Sequence, residues 1–279
     1  MQDDAAEHCA RLVRAADRDR FLAGLYAPPR KRRRLFALYA FDAEIARVPH
    51  AVREPMAGEI RLQWWRDVIG GERAGEAAAN PVSAALLEAV AESGLPRRPL
   101  LDLIEARGFD LYDDPMASLA ALEGYADKTA GTMLRLAVQT LSGEAPDALI
   151  RHAALAQTVL RIVQALPREA ARGRLHLPLD LMNDFGADPA DLLAGRVTPE
   201  LQAVLANLHL RAREALDAAR ALLPDMPTAA LPALLPLAPA RALLMRMERA
   251  QDPLHPPDLP QWRRQWLIWR AARDPSRLF

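Results

Sequence analysis

Apolar residues recur at intervals of three and four along almost the whole chain, and no segment shows sustained alternation of apolar and polar residues. The first spacing places apolar side chains on one face of an α-helix, whereas alternation would indicate a β-strand. The sequence therefore predicts an all-α protein of about ten to twelve helices, the first over about residues 7–26.

Prolines divide this helical pattern. They recur between apolar segments, at Pro81, Pro115, Pro146 and also at Pro49 and Pro167, and a proline inside a helix removes a hydrogen bond and disfavours its continuation. No fixed-period repeat, low-complexity stretch or flexible linker divides the sequence. We therefore expect a single domain over residues 1–279, with helices that end at these prolines.

The charge balance limits the partners of this chain. Lysine and arginine together number 36, as do aspartate and glutamate, so no net field attracts nucleic acid and we expect no nucleic-acid partner.

The single cysteine, Cys9, excludes an intramolecular disulfide. The N-terminus has no apolar signal core, and the apolar run 226–240 is too short and too proline-rich to span a bilayer. These features favour a cytoplasmic protein.

Three short motifs occur in a characteristic order. They are Leu38-Tyr39-Ala40-Phe41, then Tyr125 followed by Ala130-Gly131, then Gly173-Arg174-Leu175-His176-Leu177-Pro178. In this order they resemble the squalene/phytoene synthase family, over about residues 20–270. The resemblance implies an isoprenoid synthase-type helical bundle around a central cavity. It also implies a transferase of isoprenoid biosynthesis, which joins two prenyl diphosphates while carboxylate-bound magnesium neutralises the leaving diphosphate.

The two acidic motifs that would hold magnesium in this family are altered here. On the family's pattern, the first motif falls on Ala46, Arg47 and His50, and the second falls on Ala165 and Glu169. The alanines cannot ligate a metal ion, and Arg47 would repel one. We interpret Glu169 as a solvated surface acid. The sequence therefore predicts no catalytic residue, no metal site and no cofactor, and it leaves enzymatic activity undecided.

A separate acidic cluster keeps an alternative open. Asp110, Asp113 and Asp114 are spaced so that one helical face would present all three carboxylates. With magnesium bound there, the chain would be a divergent prenyltransferase that condenses isoprenoid diphosphates. The Asp-Asp-Pro sequence is also typical of a helix end followed by a turn, and we favour that interpretation.

A ligand in a central cavity needs polar groups that face inward. Asp42 falls on the apolar arc of its predicted helix, so we expect it to be buried and paired with an arginine, with Arg135 as one candidate. The candidates for the ligand pocket come from the segments that match the family: Asp42, Arg47, Arg135, Gln157, Arg161, Glu169, Arg174 and His176.

Two tryptophan-rich segments bear on function. Arg61-Leu62-Gln63-Trp64-Trp65-Arg66-Asp67 is similar to a branch of the family that contains the respiratory complex I assembly factors of mitochondria and their bacterial relatives. The resemblance implies a protein that binds a protein partner, such as a complex I subunit, or an isoprenoid- or lipid-like ligand.

Near the C-terminus, Trp262, Trp266 and Trp269 share one helical face. We expect this face to pack on the domain; the alternative is peripheral contact with the inner membrane or a partner.

Overall fold

Regular structure is helical throughout the part of the chain that the computed structural model describes, which is residues 2–52, 54–144, 146–250 and 252–279. The α-helices are α1 (Gln2–Ala16), α2 (Arg18–Gly24), α3 (Pro29–Ala51), α4 (Pro55–Gly70), α5 (Ala74–Ala79), α6 (Pro81–Ser93), α7 (Arg98–Gly108), α8 (Leu119–Ala126), α9 (Thr132–Ser142), α10 (Asp147–Ala170), α11 (Leu179–Asp184), α12 (Pro189–Leu193), α13 (Pro199–Leu222), α14 (Leu231–Leu234), α15 (Ala240–Glu248) and α16 (Gln261–Arg273). The all-α prediction is confirmed. Helices outnumber the expected ten to twelve because several are only one or two turns long.

Two long helices organise the core. Helix α3 buries its apolar side chains, Phe41 among them, against α1 and α6. Helix α10 packs along α13, and its buried face joins a second apolar cluster. Helix α10 buries one stripe of residues spaced mainly at three and four, as the sequence pattern predicts. Helix α3 is instead buried on all sides over residues 35–42. The polar cavities of the protein lie between these two helices.

Two of the prolines that we expected to end helices lie inside them. Pro49 is within α3 and Pro167 is within α10. Each lies in the last turn of its helix, where the loss of one hydrogen bond affects little of the helix that follows. The prediction was wrong at these two positions, and the consequence is functional: the last turns of both helices stay in register and carry His50 and Glu169 to the space between them.

The predicted first helix is divided at Asp17. This residue has an extended backbone, and its carboxylate accepts a hydrogen bond from the backbone N–H of Arg20 at 3.0 Å, so it caps α2. Arg20, in the first turn of α2, is buried and lines the larger of the two cavities described below.

The C-terminal helix does not pack as we expected. Trp262, Trp266 and Trp269 are 68%, 47% and 44% exposed. Helix α16 packs on the protein instead through Leu267, Ile268 and Ala271, which lie on its opposite side. The sequence could not choose between these faces, because both are apolar.

Among the described residues, the stretch Thr228–Glu248 has the length and the apolar composition that could cross a membrane. In its most apolar part, 61% of the residues are buried inside the protein.

Candidate ligand-binding cavity

Two adjoining cavities lie between α3 and α10. The larger, about 680 Å³, is bordered on its other sides by α1, α2, the segment 236–243 and α16. The smaller, about 380 Å³, extends toward α7, α8 and the loop at 174–176. Both are lined by the same residues at their junction, namely Ala46, His50, Arg161, Gln164 and Arg168. The positions of both altered acidic motifs therefore face this junction or line the space beside it.

Asp42 is the buried anion at the centre of the site. One carboxylate oxygen lies 2.5 Å from Arg20 Nη1, and the other lies 3.5 Å from Arg107 Nη2. Burial alone would raise the pKa of Asp42, but the charges of these two arginines outweigh it and lower the pKa from 3.8 to about 2. The prediction that Asp42 points inward and pairs with arginine is confirmed.

The predicted partner, however, was wrong. Arg135 lines neither cavity and instead lies 2.5 Å from Asp127 and 2.7 Å from Asp147. A π-helical turn at Asp127–Gly131 precedes α9, and Arg135 pairs with Asp127 in this turn and with Asp147 at the start of α10. Arg135 therefore fixes helices to each other and does not contribute to the site.

Arg107 connects the two sides of the smaller cavity. Its Nη1 donates to the hydroxyl of Tyr125 at 2.9 Å and lies 3.3 Å from Asp110, and the Tyr125 hydroxyl donates to Asp110 at 2.8 Å. Burial raises the pKa of Tyr125, so the phenol stays protonated and acts as a donor. The network holds Arg107 rigidly beside Asp42.

Arg161 carries positive charge that the cavity does not fully balance. It lines both cavities, and its Nη2 lies 3.2 Å from Asp17. Its pKa is lowered, first by burial and then by repulsion from Arg20, although an arginine remains charged at physiological pH. Because 44% of its side chain is accessible, Arg161 can meet an anion that enters the cavity.

Magnesium does not fit the residues at the altered motifs. The ion prefers several oxygen ligands in octahedral geometry, and Glu169 is the one carboxylate at these five positions. Its Oε1 already accepts a hydrogen bond from Arg168 Nε at 2.9 Å. Elsewhere in the described residues, no group of three or more histidine, cysteine or acidic side chains is arranged to hold a metal ion.

Glu169 itself is not the solvated surface acid that we expected. It is only 5% exposed, because α10 continues through Pro167. Burial opposes its charge, but the hydrogen bond and charge of Arg168 outweigh burial and lower the pKa of Glu169. Its Oε2 has no hydrogen-bond partner among the described residues.

Nearby, Arg172 Nη1 approaches His50 Nδ1 at 2.9 Å, and burial lowers the pKa of His50.

The acidic cluster of the alternative interpretation is not brought together. Asp110 is held by Tyr125 and Arg107 at the smaller cavity, while Asp113 lies 2.9 Å from Arg174 Nε and is 69% exposed. The chain leaves its helix after a short 3₁₀ segment at Phe109–Leu111, so the helical face that would align the three aspartates does not form. The helix end and turn that we favoured for this sequence are observed.

The remaining pocket candidates fall on the two cavities. Arg47 and Gln157 line the larger one, where Arg47 pairs with Glu44 at 3.3 Å. The buried Oε1 of Gln157 has no hydrogen-bond partner among the described residues. Arg174 and His176 line the smaller one, and the ring of His176 meets Phe109 edge-on.

Sequence reasoning missed the two arginines that bind Asp42. Neither Arg20 nor Arg107 is among the pocket candidates that the sequence predicts. A signal existed for Arg107, since it precedes Asp110 by three residues and the pair would share a helical face. No local signal connects either arginine to Asp42, which is 22 and 65 residues away.

An all-α bundle around a polar cavity is the architecture expected from the motifs, and comparison with known proteins gives the class. The profile of the squalene/phytoene synthase family matches residues 13–270, so the chain belongs to this family. Among curated relatives, NADH dehydrogenase (ubiquinone) complex I, assembly factor 6 of Mus musculus is 28% identical over 256 residues, which are 91% of this chain and 77% of that protein. Presqualene diphosphate synthase of Sinorhizobium fredii is 27% identical over 214 residues, 74% of this chain and 76% of that protein.

Solved structures agree with this assignment. Squalene synthase HpnC from Alicyclobacillus acidocaldarius has a TM-score of 0.75 at 25% identity, covering 89% of this chain and 94% of its own. A dehydrosqualene synthase has a TM-score of 0.82 at 17% identity, covering 98% and 96%. At this identity, the similarity to the dehydrosqualene synthase shows a shared fold only.

Proposed function

We propose that this chain binds an isoprenoid- or lipid-like ligand with an anionic head in its central cavities, does not catalyse prenyl transfer, and serves respiratory complex I assembly. The observation that carries the proposal is the replacement of metal-binding carboxylates by a cationic lining. The cavities present eight arginines, Arg18, Arg20, Arg47, Arg107, Arg161, Arg168, Arg174 and Arg264, against six acids, Asp17, Asp19, Asp42, Asp110, Asp258 and Glu169.

Charge of this sign suits direct recognition of an anion. Guanidinium groups bind phosphate oxygens through paired, charge-assisted hydrogen bonds and need no bridging metal. Asp42 is already occupied by Arg20 and Arg107, which removes the most deeply buried carboxylate from competition for a metal. Arg161, with its partly unbalanced charge, is the residue that we expect to meet the head of the ligand.

Calorimetric titration with farnesyl diphosphate tests the ligand-binding role. We expect binding of equal affinity with and without magnesium, and no release of diphosphate in either case, because the arginines supply the positive charge that magnesium would provide. Absence of binding would contradict the ligand-binding role.

Magnesium-dependent release of diphosphate would instead support the divergent prenyltransferase. In that case Asp110→Ala, which removes an acid that lines the smaller cavity, should lower turnover sharply, whereas Glu123→Ala, an exposed acid outside both cavities, should not. The kinship with presqualene diphosphate synthase makes this the second candidate.

The assembly role rests on the relatives named complex I assembly factor 6, of which the mouse and human proteins are 28% and 27% identical to this chain. Deleting the gene in the organism that encodes this chain is expected to lower the NADH:ubiquinone oxidoreductase activity of its membranes. Activity should return when the wild-type chain is restored. Unchanged activity and unchanged amounts of assembled complex would contradict this role while leaving the ligand-binding role to its own test.

A further inference from the structure

Helix α16 presents an aromatic and cationic face to solvent. Trp262, Trp266 and Trp269 form its outward stripe. The guanidinium of Arg270 lies 4.7 Å from the ring centre of Trp266, and that of Arg273 lies 4.5 Å from that of Trp269. Each of these pairs combines a large apolar ring with a fixed positive charge.

The apolar surface continues beyond the helix. Leu25 and Tyr26, in the turn after α2, are 43% and 45% exposed. They line a shallow groove together with Trp269, and the buried Ile268 forms part of its floor. Five large apolar side chains from two separate segments thus form one exposed surface, which we call the tryptophan face: Leu25, Tyr26, Trp262, Trp266 and Trp269. Contiguous apolar surface of this kind marks an interaction site.

The positive charge of helix α16 indicates which kind of partner binds the tryptophan face. Residues 261–273 include four arginines and no acid. Arg264 is paired with Asp19 and Asp258 on the inner side, whereas Arg263, Arg270 and Arg273 have no carboxylate partner within the described ranges of the chain. Tryptophan rings prefer the boundary between lipid headgroups and acyl chains, and neighbouring arginines reach the phosphates. An anionic bilayer satisfies both groups at once.

We propose that the tryptophan face docks this protein on the surface of a bilayer that contains anionic phospholipids. The rings enter the headgroup boundary, and the arginines contact lipid phosphates. The protein lies on the membrane and does not span it. This proposal is independent of the ligand in the cavity, because it concerns the opposite side of α16.

Co-sedimentation of the full-length protein with vesicles tests the docking. We expect binding to vesicles of phosphatidylcholine mixed with phosphatidylglycerol, weaker binding to phosphatidylcholine alone, and weakening by salt. Trp262→Ala combined with Trp266→Ala should reduce the partition coefficient about tenfold or more. The matched control is Met56→Ala with Ile60→Ala, which removes side chains that are 75% and 66% exposed on α4, and it should bind as the wild type does.

Charge is tested separately by Arg263→Gln with Arg273→Gln, which should weaken binding to anionic vesicles more than Arg61→Gln, an exposed arginine of α4. Circular dichroism confirms that each variant is folded. The proposal would be overturned by a wild type that ignores both kinds of vesicle, or by a tryptophan variant that binds as tightly as the wild type. Either result would show that the tryptophan face does not hold the protein on a bilayer.

Discussion

Replacing Asp42 by asparagine is expected to lower the free energy of unfolding by about 3–5 kcal/mol, as when one partner is removed from a buried ion pair. The amide keeps the shape of the carboxylate but leaves Arg20 and Arg107 without their shared anion. Desolvated positive charge is then poorly compensated, since the Arg20 link to Asp17 is longer, at 3.6 Å. Urea unfolding of wild type and variant at neutral pH measures the difference.

Acid should remove part of the difference in stability between the wild type and Asp42→Asn. Because folding lowers the pKa of Asp42 from 3.8 to about 2, its contribution is fully present above pH 3.8 and disappears as the pH falls through the folded value. The gap between wild type and Asp42→Asn should therefore narrow by about 2 kcal/mol between about pH 4 and about pH 2.

The matched control for this experiment is Asp113→Asn. Asp113 also pairs with an arginine, but it is 69% exposed, so its replacement should change the free energy of unfolding by less than about 1 kcal/mol. A comparable loss in both variants, or a gap that does not depend on pH, would contradict the central role given to Asp42.

Arg161→Ala is expected to weaken the binding of farnesyl diphosphate about 10- to 100-fold, since a hydrogen bond to a charged group contributes about 1.5–3 kcal/mol. Its effect on folding should be small, within about 1 kcal/mol. Repulsion from Arg20 already opposes its charge, so the lost link to Asp17 is partly offset when this repulsion is removed. Calorimetric titration and thermal unfolding separate the two effects.

A control variant lies on the same helix. Arg151 pairs with Asp147 at 3.2 Å and lines neither cavity, so Arg151→Ala should leave the affinity unchanged. If Arg151→Ala weakens binding as much as Arg161→Ala, the anion is not recognised inside the cavity.

What the sequence predicted well depends on short-range pattern. Helical periodicity is a property of neighbouring residues, and it gave the all-α fold and the inward orientation of Asp42. The ordered motifs, such as Tyr125 with Ala130-Gly131, indicated the family, which the profile match over residues 13–270 confirms. The altered acidic positions could be named because they are counted from these motifs.

What the sequence could not predict depends on how helices meet. The partner of Asp42 is set by packing between α2, α3 and α7, so Arg135 was as plausible from the sequence as Arg20 or Arg107. The predicted exposure of Glu169 is wrong because α10 continues through Pro167, where the sequence pattern predicts a helix end. Helix α16 has two apolar faces, and tertiary packing determines which of them is buried.

The inner side of α16 carries Gln261 and Arg264, which line the larger cavity, while its tryptophans lie on the outer side. The thickness of one helix therefore separates the larger cavity from the surface that binds the tryptophan face. If the tryptophan face contacts a bilayer, a ligand with a hydrocarbon tail could pass between the cavity and the bilayer without dissolving in water. Its rate of exchange would then depend on the composition of the bilayer and not on its concentration in water.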